Sequence, residues 1–313
     1  MRRLVGMLAA VALLFSLGAG FAAPDAAAAA ITVGSKNFTE QLILGELMVQ
    51  ALEAAGHTVN NRLSLGGTAV VRQALEAGEI DVYAEYTGTG LLVHFSGYGL
   101  DIPRAVWANA EASTAFVQAV DSLKNDLVWL CPATANNTYA IAVRRAWAEE
   151  NNIRTAEDLA AYHNSGGRII FASNAEFIDR PDGLQAFEET YGFSIPRSDV
   201  VVLAQGSYAT AQALANGSNG VNAAMVFGTD GTIAAFDLLV VEDTLGAMPV
   251  YYPAPVVRGE LLRAEPGIAD VLCGVFAHLD GPTLSALNAE VDVMGRRPAD
   301  VAAEFLRQIG VTR

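Results

Sequence analysis

The stretch Asp81-Val-Tyr-Ala-Glu-Tyr86-Thr-Gly-Thr89-Gly90 decides how the rest of this chain is read. Ile80, Val82 and Ala84 recur with the period of two that marks a strand, and Gly88 and Gly90 then break it. Tyr86 and the hydroxyls of Thr87 and Thr89 are thereby delivered to the carboxyl end of a strand, where open α/β sheets carry their ligand crevice.

Working outward, the same design recurs on both sides. Ile31-Thr-Val33 reads as a strand, Gly34 to Thr39 as a turn carrying Ser35 and Lys36, and about Glu40 to Ala55 as a helix with Gly56 as its stop. Asn37 and Glu40 have capping-box spacing, and Glu40 suits the positive end of the helix dipole. Thr58 to Leu65 is strand-like, and Thr68 to Ala77 is an amphipathic helix leading into the Asp81 strand. Farther along, Gly206 to Gly231 echoes residues 67 to 90. Gln73-Ala-Leu75 matches Gln212-Ala-Leu214, and each unit runs turn, helix, Gly-containing loop, buried strand. Counted from its Gln, Phe227 falls two positions later than Tyr86, a difference that the loop Asn216-Gly-Ser-Asn-Gly220 can absorb. The echo implies two similar lobes, each presenting an aromatic ring at a strand end.

Between the lobes the chain crosses twice. Pro132 and the tract to Asn137 mark the first crossing. The run Met248-Pro249-Val-Tyr251-Tyr252-Pro253-Ala-Pro255-Val-Val-Arg258 reads as an extended return connection, because three prolines exclude a helix. The expected division is lobe 1 over residues 31–136 plus 250–313 and lobe 2 over 137–249. Helices at about Arg104–Leu123, Thr155–Tyr162 (with Thr155 as N-cap), Leu184–Tyr191, Glu260–Leu279, Thr283–Glu290 and Pro298–Ile309 and strands at Leu127–Leu130, Thr138–Val143, Arg168–Phe171, Asp199–Leu203 and Leu238–Val241 complete the reading.

With 313 residues, 52% of them hydrophobic, the chain can fill two ordinary cores. Residues 1–28 read as a signal peptide: Arg2 and Arg3, an apolar run from Leu4 to Leu17, then small residues. The run is short for a membrane span. The only cysteines, Cys131 and Cys273, lie far from the cleavage region, so a lipid anchor is excluded and a periplasmic protein is expected. In that oxidising compartment the pair is either a disulfide or two separate buried thiols. The formal charge is −15, and removing Arg2, Arg3 and Asp25 makes it one unit more negative, which disfavours nucleic acid and anionic membranes as partners.

Loops at strand ends supply Lys36, Tyr86, Thr89, Tyr139, Arg180, Phe227 and Tyr251. Several aromatic faces arranged as a box attract a cation, at roughly 0.5–2 kcal/mol per face. Lys36, Thr89 and a forked Arg180 could hold a carboxylate at the other end, so a small zwitterion satisfies both. The plainer alternatives are rim-of-core packing for the rings and a local surface ion pair of Arg180 with Asp179 or Asp182. There is no Gly-x-Ser-x-Gly elbow, His-x-x-x-His or paired-Cys spacing, and His57, His94, His163 and His278 are scattered. No catalytic group, metal or cofactor is therefore expected.

Gly34-Ser-Lys-Asn-Phe-Thr-Glu-Gln41, the Asp81–Thr89 stretch, Asn136-Asn-Thr-Tyr-Ala140, Arg180-Pro-Asp-Gly-Leu184, Thr229-Asp-Gly231 and Ala254-Pro-Val-Val-Arg258 together resemble the substrate-binding proteins of ABC importers for glycine betaine, choline and related osmolytes. The resemblance covers nearly all of residues 31–313. It implies an α/β, two-lobed periplasmic-binding-protein fold of type II, a quaternary ammonium ligand, and delivery to a permease coupled to an ATPase subunit, with the binding protein itself a monomer. It also implies that Tyr86, Tyr139 and Tyr251 belong to a tyrosine box and Lys36, Thr89 and Arg180 to a carboxylate grip. Phe227 stands where tyrosine is usual, and Tyr252 competes with Tyr251 for one position. Two alternatives remain: a drifted homologue for another small cation or zwitterion, and an exported enzyme on the same scaffold.

Overall fold

A computed structural model describes residues 30–203 and 206–313, so the signal-peptide reading lies outside the described residues. In chain order the strands are β1 (Ile31–Lys36), β2 (Val59–Gly66), β3 (Val82–Tyr86), β4 (Leu127–Trp129), β5 (Tyr139–Arg144), β6 (Phe171–Asn174), β7 (Val200–Leu203), β8 (Ala223–Phe227), β9 (Leu238–Val240) and β10 (Pro253–Arg258). Two of them, β3 and β8, are buried at every residue, as strands covered by helices on both faces must be.

These strands form two five-stranded sheets, ordered β2-β1-β3-β10-β4 and β7-β6-β8-β5-β9. Position for position the sheets match. In the first, β1 runs parallel to β2 and β3, and β10 runs antiparallel to β3 and β4. In the second, β6 runs parallel to β7 and β8, and β5 runs antiparallel to β8 and β9. The sequence echo is therefore a structural repeat: helix α2 (Thr68–Glu76) leads into β3 as the helix Tyr208–Asn216 leads into β8.

Helix α1 (Thr39–Ala54) buries Ile43, Leu44, Leu47, Met48, Ala51 and Leu52 among β1 and the C-terminal helices Ile268–Phe276, Gly281–Asp292 and Pro298–Gln308. Its start differs from the capping-box expectation. The N-cap is Phe38, with no side-chain cap, and Glu40 is buried and turned to other partners. Thr155 does cap its helix, in a capping box with Asp158.

The Pro-rich run also differs from a plain connection, because its second half is β10, inside the first sheet. Proline is tolerated there because a missing N–H harms a ladder only where a partner needs it. The carbonyls of Pro253 and Pro255 accept from Ala133 and Leu130, on the side where β4 has already ended. Along β6, the expected start at Arg168 moves to Phe171. Asn222 supplies side-chain bonds to the Ile170 N–H (2.8 Å) and the Arg168 carbonyl (2.8 Å) in place of a ladder partner. The expected helix from Arg104 divides into Arg104–Trp107 and Ala110–Asn125, with Asn109 capping the second part. The one from Glu260 breaks around Pro266.

Cys131 and Cys273 form a disulfide with Cα atoms 5.6 Å apart, joining the segment after β4 to the helix Ile268–Phe276. Both crossings run side by side: the Asn137 N–H donates to the Tyr251 carbonyl (3.0 Å), and the Tyr251 N–H donates to Asn136 Oδ1 (2.8 Å).

Candidate functional site

Strand ends bring the site together. Lys36 closes β1 and Tyr86 closes β3, while Thr89 lies in the turn that follows. From the second sheet, Tyr139 opens β5 and faces Phe227, the last residue of β8, in register. Arg180 ends the short helix Ala175–Asp179, and Tyr251 sits two residues ahead of β10. All seven line one cavity between the sheets. Tyr251 is among its lining residues and Tyr252 is not.

The expected loop after Tyr86 is instead a helical turn, Thr87–Thr89, and it needs Gly88. A Cβ there would lie 2.7 Å from the Tyr251 ring and from the Val250 carbonyl. The turn and the returning crossing are thus in backbone-to-ring contact.

The rings make a continuous wall. Tyr139 meets Phe227 at 5.1 Å between centroids and Tyr251 edge-on at 5.5 Å. Phe38 stacks on Phe227 at 5.6 Å and on Tyr86 at 6.4 Å, so it joins the ring of the first sheet to those of the second. Burial pushes the Tyr86, Tyr139 and Tyr251 hydroxyls up, which keeps the rings as neutral phenols. Such faces retain the quadrupole that attracts a cation.

At the basic end each cation already has an anion. Lys36 Nζ donates to Glu85 Oε1 (2.6 Å), and Glu85 also meets Tyr83 Oη (2.9 Å) and His94 Nε2 (2.9 Å). Burial opposes ionisation of Glu85, but the charge of Lys36 and the His94 bond outweigh it and hold its pKa well below the carboxylate range. Arg180 departs from the expected ligand fork. Its Nε and Nη2 grip Asp182 at 2.8 and 2.5 Å, and Nη1 lies 3.2 Å from Glu176 Oε1. The expected alternative of a surface pair is wrong in its setting, since Arg180 is buried and its guanidinium lies 5.4 Å from the Tyr139 centroid and 5.7 Å from that of Tyr251.

Several lining residues had no strong sequence signal: Phe38, Thr68, Asn137, Asn174, Glu176 and Gly206. Phe38 and Asn137 lie within quoted motif segments, and their flanking Lys36 and Tyr139 were the available signal. Behind Phe38 and Phe227 a second chamber is lined by Glu40, Ser207, Asp230, Asn288 and Asp292. There Asp230 accepts the Phe227 N–H (2.7 Å), and burial raises its pKa to about 7. Among the described residues no group of acidic, His and Cys side chains could hold a metal, and no helix is long and apolar enough to cross a membrane.

This arrangement, a ring-lined cavity between two matching sheets, agrees with what the chain is similar to. Residues 29–308 match the family model for the substrate binding domain of the ABC-type glycine betaine transport system. The chain belongs to that family. It is 45% identical over 291 residues to the glycine betaine-binding protein YehZ of Escherichia coli K12, covering 93% of this chain and 94% of that one. It is 37% identical to a glycine-betaine-binding protein of Pseudomonas aeruginosa, covering 92% and 90%. The solved structure of apo YehZ aligns with a TM-score of 0.68 over 91% of this chain and all of that one. Membership of the glycine betaine transport family makes this a substrate-binding protein of a transport system and accounts for the type II two-lobed fold. The family is one of transport components, not of enzymes, and the exported-enzyme alternative accordingly has no support in it.

Proposed function

We propose that this protein binds a small zwitterionic quaternary ammonium compound, glycine betaine in the first instance, between its lobes and delivers it to an ABC permease and its ATPase. The observation that supports this most is the composition of the one cavity: Tyr86, Tyr139, Tyr251 and Phe227 beside Lys36, Thr89 and Arg180. A trimethylammonium group cannot donate hydrogen bonds, so π faces serve it better than carbonyls. The lobes are residues 31–136 with 250–313 and residues 137–249, hinged where the two crossings are bonded side by side. Closing both lobes on one solute lets its binding energy shift the open–closed equilibrium. Residues 1–28 direct the chain to the periplasm, where it works as a monomer without lipid.

Titration calorimetry with glycine betaine, choline, proline betaine and carnitine tests the reading. Saturable binding of the carboxylated quaternary amines is expected. Heat from none of these compounds, or binding only of solutes without a quaternary nitrogen, would overturn it. A second reading, a drifted specificity, is favoured by Phe227, which alters the ring box, and by the pairing of Arg180 with Asp182, which predicts a weaker grip on the carboxylate than on the nitrogen.

A further inference from the structure

Glu40 is the buried carboxylate that the site as described leaves without a task. It is 3% exposed, and it accepts from Tyr86 Oη (2.9 Å), Asn137 Nδ2 (2.8 Å), Asn288 Nδ2 (2.9 Å) and the Thr229 hydroxyl. Asn288 Nδ2 also donates to the Thr229 carbonyl (2.9 Å), which fixes that amide with its N–H groups toward Glu40. Hydroxyls and amide N–H groups surround both oxygens, an environment built for an acceptor. These partners come from different places: a cage ring, a crossing, the second lobe and a C-terminal helix of the first. Burial pushes the Glu40 pKa up, and these four bonds work against that shift.

Other carboxylates at the site are neutralised in place. Glu85 is paired with Lys36, and Arg180 stands between Asp182 and Glu176. No Lys, Arg or His bonds to Glu40 among the described residues. Two cage rings donate their hydroxyls to carboxylates, Tyr86 to Glu40 and Tyr251 to Asp182, but only the second of those carboxylates has a basic side chain paired with it. A phenol that donates to a carboxylate carries more negative charge in its ring, and a ring so charged holds a cation more strongly.

We infer that Glu40 is a positioning residue that supplies the counter-charge for the ligand's nitrogen through the Tyr86 ring, while its bond to Thr229 fastens the second lobe over the same nitrogen. This rests on the ligand reading above. It assigns the discrimination between a cation and a neutral group of the same shape to a side chain that does not line the cage cavity.

The test compares glycine betaine with its carbon isostere 3,3-dimethylbutanoate, and choline with 3,3-dimethylbutan-1-ol, by competition at concentrations reaching the millimolar range. Unsubstituted protein should prefer the member of each pair that carries the quaternary nitrogen. Glu40→Gln keeps the size and an acceptor but removes the charge, and it should cut that preference about fivefold or more. Tyr86→Phe, which keeps the ring and breaks the link, should cut it in the same direction, and the double variant should lose little beyond either single one. If Glu40→Gln weakens the ammonium compounds and their carbon isosteres equally, the residue is a fastener only and the inference is overturned; if both variants leave the preference intact, it is overturned also. Should the unsubstituted protein bind neither glycine betaine nor choline, the ligand reading fails and takes this inference with it.

Discussion

Lys36 shows how much the site depends on partners that do not face the ligand. Its amine, 2% exposed, lies against Glu85, and the pair is held in turn by Tyr83 and His94. Replacing Glu85 by Gln leaves the amine without its anion, so we expect about 3–5 kcal/mol lost from the unfolding free energy in urea; a loss within error of zero would show that the pair is not required. Among the rings, Tyr86→Ala should weaken binding of a quaternary amine at least about tenfold by calorimetry, since it removes both a face and the Glu40 link. Unchanged affinity would remove Tyr86 from the cage. The positions of Lys36, Tyr86, Thr89, Tyr139 and Phe227 were legible because strand periodicity locates strand ends, and strand ends meet at one crevice. Glu40 was misread as an N-terminal capping partner because local spacing cannot reveal contacts to Thr229 and Asn288, which are distant in sequence. Arg180 lines the cavity, and its commitment to Asp182 depends on side-chain geometry that spacing does not fix.

Elements position these side chains through close backbone approaches. The turn Thr87–Thr89 can touch the returning crossing only because Gly88 has no side chain, and Gly88→Ala should push Tyr251 out of the ring wall. Binding of glycine betaine would then fall by an order of magnitude or so with the fold retained in circular dichroism; unaltered binding would mean that the wall tolerates the shift. After β8, Asp230 holds the Phe227 N–H, and burial sets its folded pKa near 7 against an ordinary 3.8. An acid raised in this way stabilises the fold fully below about pH 4, and that contribution is lost as the pH climbs through about 7. Asp230→Asn, which keeps an acceptor, should flatten the decline in stability between pH 4 and 7 by roughly 2–4 kcal/mol in paired denaturation curves; parallel curves for the two proteins would contradict it. Most elements were legible within a few residues, α2 and Leu184–Tyr191 most closely. β10 was read as a connection because proline counts against a strand wherever ladder partners are unknown. Its tolerance depends on β4 stopping at Trp129, a property of another segment.

For the whole molecule the matching strand orders explain how one cavity receives rings from both halves. A strand-end aromatic in each repeat faces its counterpart when the halves meet. Side-chain bonds join residues that the two sheets position: Thr68 Oγ1 to Glu176 Oε1 (2.5 Å) at the cavity, the Thr229 hydroxyl to Glu40, and, elsewhere, Arg104 to the carbonyls of Leu245 and Gly246. The disulfide, by contrast, joins two elements of the first half and closes a loop of sequence separation 142. Reduction should therefore lower stability by about 3–5 kcal/mol without abolishing ligand binding; an unshifted denaturation midpoint under reductant would show that packing alone suffices. Whether the two thiols meet was beyond the sequence, whereas the doubled architecture was legible in the Gln73 and Gln212 units because a repeat preserves order even where residues diverge.

The most direct measurement is a crystal structure of the protein grown with glycine betaine. The ligand nitrogen is predicted within about 5 Å of the ring centroids of Tyr86, Tyr139, Phe227 and Tyr251, with its carboxylate toward Lys36 and Thr89. A nitrogen found in the chamber behind Phe38, or a carboxylate enclosed by the rings, would contradict the account.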